Sequence, residues 1–144
     1  MSNGKELSKK ESITALIAFI SVIVAIITTI GLIIFMNIPY KLNVVNKNGS
    51  DAEKVILRIE GNNGQYELTG DEKNAFCNKL ANLKVYRTFN RKEVDTVYTI
   101  TVEKVDGSKI VVSDRNIFYY DQEGNLTKKT FIRVNDSYYN LFNL

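Results

Sequence analysis

One uninterrupted apolar run, from Ile13 to Ile38, contains no charged residue. Its 26 residues would make a helix about 39 Å long at a rise of ~1.5 Å per residue, whereas the hydrocarbon core of a bilayer is roughly 30 Å thick. The run therefore predicts a membrane-spanning helix that crosses with a tilt or with its ends in the interface. Pro39 lacks a backbone donor and biases Ile38 away from helical angles, so we expect the helix to end there.

A cleaved signal peptide is the alternative interpretation of this run. Its apolar core would contain about 7–15 residues and would be followed by a small-residue cleavage site. The observed run is longer, residues 34–39 contain no A-x-A-like pattern, and no small-residue motif precedes the lone Cys77. The sequence therefore favours an uncleaved signal-anchor of a single-pass protein.

Basic residues beside the run indicate its orientation, since they favour the cytoplasmic side of a membrane. Three precede the run and two follow it within fifteen residues: Lys5, Lys9, Lys10, Lys41 and Lys47. We therefore expect residues 1–12 to be a short cytoplasmic tail and residues 13–38 to be the transmembrane helix. The remainder is expected to lie outside the cytoplasm at a bacterial cell membrane, and the lipid bilayer is the first predicted partner.

The formal charge of +3 does not indicate a nucleic-acid-binding protein. Residues 51–144 contain 14 basic and 14 acidic residues, so the excess lies in the flanks of the apolar run. Basic residues there set topology or meet anionic lipid head groups. The sequence contains no basic cluster that could bind nucleic-acid phosphates, so we predict no nucleic-acid partner.

The chain after the apolar run is predicted to form a linker and one small domain. Residues 39–52, PYKLNVVNKNGSDA, show no sustained period and resemble a polar tether. Residues 53–144 suffice for one domain. A single cysteine cannot form an internal disulfide, so an extracytoplasmic domain must be stabilised by packing, which suits a Gram-positive surface.

The pattern of residues 53–144 predicts an α+β fold. A turn at residues 61–64 and a hairpin turn at Asp106-Gly107 separate apolar runs of strand length. The predicted strands are Val55–Glu60, Gln65–Thr69, Val85–Phe89, Thr96–Val105, Lys109–Ser113, Ile117–Asp121 and Leu126–Val134. Successive hairpins favour a mostly antiparallel meander sheet, with one main helix packed on it in a two-layer domain.

The main helix is predicted over Asp71–Asn82. Thr69 and Glu72 have the S/T-x-x-E spacing of a capping box. The apolar residues of the helix share one face that would lie on the sheet: Phe76, Cys77, Leu80 and Ala81. Asn135 to Ser137 can cap a short C-terminal helix.

The residues that usually carry catalysis or bind metals are sparse. There is no histidine, so the commonest general base, the usual metal ligand and the familiar triads are all excluded. Cys77 is expected to be a buried small hydrophobe, the alternatives being a reactive thiol or an intermolecular disulfide. Carboxylates fall at turns and in a helix's first turn, where backbone chemistry explains them. We therefore predict no catalytic, cofactor-binding or metal-binding residues and no cofactor.

Two surface features remain as weak candidates for a site. Arg87, Arg91 and Lys92 surround the loop Phe89–Asp95, which could bind an anion or a partner. The alternative is a solvated loop balanced by its own acidic residues. Tyr119-Tyr120 and Tyr138-Tyr139 place aromatic rings on both faces of their elements, so one ring of each pair should pack in the core.

The apolar run itself carries a stripe of small residues at steps of four and three: Thr14, Ala18, Ser21, Ala25 and Thr28. Small residues let helix backbones approach closely, and hydroxyls can bond across the contact. We hypothesise that this face packs on a second copy or on a partner's transmembrane helix. The alternative is chance, since eight of the 26 positions are Ala, Gly, Ser or Thr.

Three segments of the domain carry a resemblance: IEGNNGQYELTGDEKNAF, YTITVEKVDGSKIVVSD and IFYYDQEG. In these the chain resembles small membrane-anchored extracytoplasmic domains of unknown function from Gram-positive, clostridial-type bacteria. The shared pattern is strand, helix and a strand–DGS–strand hairpin over residues 53–144. The resemblance implies the fold and the anchor but no functional residue.

Two classes of function follow by elimination. The first is a non-enzymatic interaction or binding module, such as an accessory subunit, sensor or inhibitor at the outer membrane surface. The second is an envelope enzyme that uses carboxylates, tyrosine or lysine in a cleft. The absence of catalytic motifs favours the first class.

Overall fold

The structure is a computed structural model that describes residues 3–61, 64–93 and 95–143, and the chain divides into two compact units at Asn37/Ile38. The first unit contains helix α1, Asn3–Asn37. The helix ends directly before Ile38-Pro39, as the proline predicts. It begins earlier than the apolar run, because the residues of the expected tail are mostly good helix formers such as lysine, glutamate and leucine.

In its described residues, the second unit contains eight strands and three further helical segments. The strands are β1 Tyr40–Lys41, β2 Ala52–Ile59, β3 Gln65–Leu68, β4 Lys84–Arg87, β5 Tyr98–Lys104, β6 Lys109–Ser113, β7 Asn116–Tyr120 and β8 Leu126–Arg133. The helical segments are α2 Gly70–Asn82, α3 Asp136–Tyr139 and a 3-10 turn at Asn140–Phe142. Parts of the predicted segments fall outside the described residues, namely Met1 and Ser2 of the tail, Asn62 and Asn63 of the first turn, Val94 of the loop, and Leu144 at the end of the domain.

All strand pairs in the sheet are antiparallel, and the order is β1-β4-β8-β7-β6-β5-β2-β3. The consecutive strands β5 to β8 form the predicted meander. Each hairpin turn uses residues suited to it, for instance Gly107, whose φ of 86° favours glycine. The α+β fold expected from the pattern is confirmed.

Helix α2 packs on one side of the sheet, the core face. Its buried residues are Phe76, Cys77, Leu80 and Ala81, the stripe predicted from helical spacing. They share one hydrophobic core with alternate residues of the central strands: Val55, Leu57, Ile100, Val102, Val112 and Ile117. Residues of opposite parity, such as Thr101, Val111 and Phe118, lie on the other side, the outer face.

Residues 39–52, predicted to be a linker, are instead part of the domain, and this prediction is wrong. Leu42, Val44 and Val45 are buried in the core at 1%, 1% and 7% exposure. The Leu42 N–H donates to the Leu83 carbonyl at 2.9 Å, which continues the pairing of β1 with β4. The segment lacks a period because it crosses the core as irregular chain that is stabilised by burial.

Polar contacts also join the end of this segment to helix α2 and strand β5. The Lys73 ammonium donates to the Ala52 carbonyl at 2.6 Å, and the Lys104 ammonium bonds the Asp51 carboxylate. Burial acts to raise the pKa of Asp51, but the bonds from Lys104 and the Asn46 N–H outweigh it and lower that pKa. Gly49 has a φ of 67°, which strains any other residue, and a Cβ there would lie only 3.2 Å from the Cys77 sulfur.

The helix starts show one wrong prediction and one that is confirmed. Thr69 is the N-cap of α2, but its side chain makes no capping hydrogen bond, and the Glu72 carboxylate accepts from the Tyr66 hydroxyl at 3.2 Å. The predicted capping box is therefore not formed. At α3 the Asn135 side chain accepts from the Ser137 N–H at 3.1 Å, as predicted.

Cys77 is completely buried on α2, and burial raises the pKa of its thiol above the ordinary value. We expect the native protein to react with a thiol reagent roughly 100-fold or more slowly than the unfolded chain, since only opening exposes the sulfur. Reaction with dithionitrobenzoate in and out of urea measures this ratio. Equal rates in the two conditions would contradict the core position, and Ser50→Cys, at an exposed position, provides a fast-reacting control.

Candidate functional site

The crossover segment, residues 88–97, joins β4 to β5, and its described residues contain no helix or strand. Strands β8, β7 and β6 lie between β4 and β5 in the sheet, so the segment must pass over them. Near its middle, Glu93 forms an ion pair with Lys129, an outer-face residue of β8. At its end, the Val97 carbonyl accepts from the Glu60 N–H at 2.7 Å. The segment therefore runs across the outer face.

A cavity of about 270 Å³ lies where the crossover segment begins. Thr88 and Asn90 of the segment form one wall, and the turn Asp114-Arg115 forms another. The remaining lining comes from the end of β8 and from α3: Ile132, Arg133, Val134 and Tyr139. The cavity thus combines one carboxyl group, two guanidinium groups and one phenol.

Asp114 is the electrostatically unusual residue of this cavity. Its Oδ1 atom is buried without a hydrogen-bond partner in the described structure. Burial raises the pKa of the Asp114 carboxyl, and the neighbouring Arg115 only partly offsets this. Burial together with the Asp114 charge also raises the pKa of Tyr139. A carboxyl of this kind can accept a hydrogen bond or a proton from a ligand that enters the cavity.

We expect Asp114→Asn to stabilise the protein at neutral pH, because the raised pKa means that the folded state disfavours the charged carboxylate. A raised carboxyl pKa lowers stability as pH increases from the unfolded value, near ~3.9, through the folded value. The gain from Asn should therefore be small at low pH and reach a plateau above the folded pKa. Urea unfolding of both proteins between pH 3 and pH 8 measures the difference, and a variant that is less stable at neutral pH would contradict this reasoning.

A second groove, of about 370 Å³, lies where the crossover segment ends. Thr96 and Val97 of the segment face the outer-face residues Thr99, Thr101 and Val111. Ile56, Arg58, Glu60 and Gln65 complete the lining. The two charges are opposite in sign and the remaining side chains are small and polar or aliphatic, so this groove suits an extended peptide better than a strongly charged ligand.

A third hollow of about 310 Å³ lies at the opposite ends of the strands, between the β5–β6 and β7–β8 turns. It carries four acidic residues, Glu53, Glu103, Asp121 and Glu123, together with Lys104 and Lys109. Asp121 accepts the N–H groups of Glu123 and Asn125, which lowers its pKa as expected of a carboxylate that closes a turn. Across the described residues, no group of three His, Cys, Asp or Glu side chains could hold a metal ion.

The predicted basic loop is partly engaged in the fold. The Arg87 guanidinium lies 5.0 Å from the centre of the Tyr40 ring, an arrangement that joins β4 to β1. Arg91 and Lys92 follow in the crossover segment and are exposed. The guanidinium groups that line the nearby cavity belong to Arg115 and Arg133, which the sequence did not single out.

The predicted transmembrane packing face lies along α1, whose most apolar window is entirely unburied within the chain. Its hydroxyls donate to the carbonyl four residues earlier, from Thr14 to Lys10, from Ser21 to Ile17 and from Thr28 to Val24, at 2.8–3.0 Å. These bonds satisfy the hydroxyl donors inside the helix. The packing face, which also contains Ala18 and Ala25, therefore remains a prediction that rests on the small size of its side chains.

Sequence reasoning missed Asp114, Arg115 and Tyr139 as a group. In the sequence, Asp114 and Arg115 follow a predicted strand where a turn is expected, and Tyr139 belongs to an aromatic pair. The three are brought together only by tertiary structure, since α3 returns to the β6–β7 turn after β8. The available hint was the tyrosine pair, in which Tyr138 is fully buried and Tyr139 is 39% exposed.

Comparison with protein-family profiles, with curated proteins and with solved structures found no match.

Proposed function

We propose that this is a single-pass membrane protein whose extracytoplasmic domain is a non-enzymatic interaction module. The observation that carries the proposal is the contrast between the two units. The apolar window of α1 is 0% buried within the chain, whereas residues 38–144 bury a core of their own. A helix this apolar needs cover that its own chain does not provide, and a bilayer is that cover.

The surface of the domain supports an interaction role. The two cavities on the crossover segment are lined from several elements by mixed polar and aliphatic side chains. Such surfaces suit recognition of a peptide or protein segment, and Thr99, Thr101 and Val111 contribute outer-face strand residues to the groove. The cytoplasmic position of residues 1–12 belongs to the proposal and rests on the lysines before α1.

The second candidate function is an envelope enzyme, and Asp114 is the observation that favours it. Its raised pKa and the nearby Tyr139 and Arg115 resemble the surroundings of a general acid. Turnover of an envelope substrate that is lost in Asp114→Asn but kept in Asp121→Asn would favour the enzyme. Asp121 is the matched control because its carboxylate has a structural turn role and a lowered pKa.

Photocrosslinking of the full-length protein in its native membrane tests the interaction module. A benzoylphenylalanine residue would replace Thr101 in the groove, Asn90 at the cavity or Ser21 in α1, one position at a time. Asn78, exposed on α2, is the control for the domain, and Ile23, about 200° around the helix from Ser21, is the control for the membrane face.

One protein that is captured from Thr101 or Asn90 and not from Asn78 would support an interaction module and identify its partner. Capture from Ser21 and not from Ile23 would support the helix-packing face, either of a second copy or of a partner. Identical products from test and control positions would contradict the proposal, because random collision would then explain them.

A further inference from the structure

Phe89, on the crossover segment, is the most exposed large hydrophobic side chain that the structure describes, at 69%. Arg91 and Lys92 follow it and are also exposed, and within the described part of the chain neither side chain forms an ion pair. Local hydrogen bonds shape this stretch, since Thr88 Oγ1 accepts from the Asn90 N–H and Asn90 Oδ1 accepts from the Lys92 N–H, both at 3.1 Å. An exposed aromatic ring therefore stands beside two unpaired cations.

The fold places this stretch where the domain begins. Strand β1 starts at Tyr40, three residues after the end of α1, so about 11 Å of chain at most separates Asn37 from Tyr40. Tyr40 pairs with Val85 of β4, and the Arg87 guanidinium lies over the Tyr40 ring. Because β1 and β4 are antiparallel, β4 runs back toward the start of the domain. Phe89 follows Arg87 by only two residues.

The exposed side chains around the stretch carry a net positive charge. Glu93 is neutralised by its ion pair with Lys129, and Asp95 is an exposed acid further along the segment. On the neighbouring turn, Asp114 is half-buried and Arg115 is exposed. The exposed cations of the stretch and of the cavity beside it are Arg91, Lys92, Arg115 and Arg133, and they outnumber the exposed acids of the crossover segment, Glu93 and Asp95.

We propose that the stretch Phe89–Lys92 contacts the anionic lipid head groups of the membrane that α1 enters. The phenyl ring would lie at the boundary between head groups and acyl chains, where aromatic side chains are favoured, and the two cations would meet lipid phosphates. This contact would hold the domain against the bilayer and limit the orientations of the grooves. The inference rests on the proposed function, in that it requires α1 to span the membrane.

A single tryptophan tests the contact, because the chain contains none. The full-length Phe89→Trp variant would be reconstituted in vesicles of phosphatidylglycerol or of phosphatidylcholine, each with brominated acyl chains that quench indole fluorescence. Val105→Trp is the matched control, since Val105 is 67% exposed and lies beside the Asp106-Gly107 turn without adjacent arginine. Both faces of such vesicles carry the same lipid, so the direction of insertion does not affect the readout.

We expect the Phe89→Trp variant to be quenched at least about twofold more in phosphatidylglycerol than in phosphatidylcholine, and more than Val105→Trp in either lipid. Adding Arg91→Glu and Lys92→Glu should remove the additional quenching in phosphatidylglycerol. About 1 M salt should remove it too, because the distance over which charges interact then falls to roughly 3 Å. Lys79→Glu, which reverses an exposed charge on α2, should leave it unchanged.

The outcomes separate this inference from the proposed function. A chain that resists alkaline extraction from the vesicles while its Phe89→Trp and Val105→Trp variants are quenched equally would overturn the lipid contact alone. A chain that alkaline carbonate releases from the vesicles would overturn the membrane-spanning role of α1 and this inference with it.

Discussion

Leu42→Ala should lower the free energy of unfolding of the domain by about 2–5 kcal/mol, the range for removing a fully buried leucine side chain. Leu42 is 1% exposed, and its neighbours Val44 and Val45 belong to the same core. Native proteins are stable by only about 5–15 kcal/mol, so the loss should unfold a substantial fraction under mild denaturant. Urea unfolding of the full-length chain in detergent, followed by near-ultraviolet circular dichroism, measures it.

The control for this prediction is Leu126→Ala, since Leu126 is 52% exposed at the start of β8. Leu126→Ala should lower the free energy of unfolding by no more than about 0.5 kcal/mol, as at most surface positions. Equal effects of the two changes would show that residues 39–52 are a tether after all, and that the domain begins near Ala52.

Tyr138→Ala should cost about 3–5 kcal/mol, as expected for a fully buried aromatic side chain. Tyr138 is 0% exposed, and its ring packs edge-on against Tyr139 and Phe142 at centroid distances of 5.5 and 5.6 Å. Its hydroxyl reaches the carbonyls of Tyr98 and Val112 at 2.9 and 3.2 Å. The ring therefore joins α3 to two strands of the sheet.

Tyr138→Phe separates the hydroxyl from the ring, and it should cost about 0.5–1.5 kcal/mol, the net value of one hydrogen bond. Tyr139→Phe is the matched control and should be nearly neutral, because Tyr139 is 39% exposed. The same urea assay applies. A Tyr138→Phe variant as unstable as Tyr138→Ala would contradict the view that ring packing dominates.

The elements with a regular period could be predicted from the sequence, and the reason is physical. Helix α2 repeats apolar residues every three or four positions, and apolar and polar residues alternate in β5 from Tyr98 to Val102. The spacing of the apolar residues therefore predicts which face of each element is buried. Helix α1 follows from uninterrupted apolarity and from Pro39. Their bounds in the structure differ from the predicted ones by a few residues at most, except at the start of α1.

The segment that precedes β2 could not be predicted in this way. Val44 and Val45 are adjacent and both buried, which a strand with one exposed face would not give. The segment also lacks the repeat of apolar residues at three and four positions that marks helix α2. Asn46, Asn48 and Gly49 form a turn, in which the Gly49 N–H donates to the Asn46 carbonyl and the Ser50 N–H donates to Asn48 Oδ1. Residues that favour turns also favour solvated linkers, so their presence in the sequence does not show whether a segment is buried.

The candidate site escaped sequence reasoning because its parts are distant in the chain. Asp114 looks like an ordinary turn residue, and only the return of α3 and the passage of the crossover segment enclose it. The exposed basic residues Arg91 and Lys92 could be named in advance, but their position near the start of the domain depends on the pairing of β1 with β4.

Labelling of single cysteines in intact cells tests the central claim, that α1 spans the membrane with the domain outside. In a Cys77→Ala background, Ser8→Cys and Ser50→Cys place one exposed thiol on each side of the apolar run. A membrane-impermeant maleimide should label Ser50→Cys in intact cells and Ser8→Cys only after permeabilisation, with both proteins retained in alkali-washed membranes. Labelling of Ser8→Cys alone in intact cells, or release of either protein by alkali, would contradict the account.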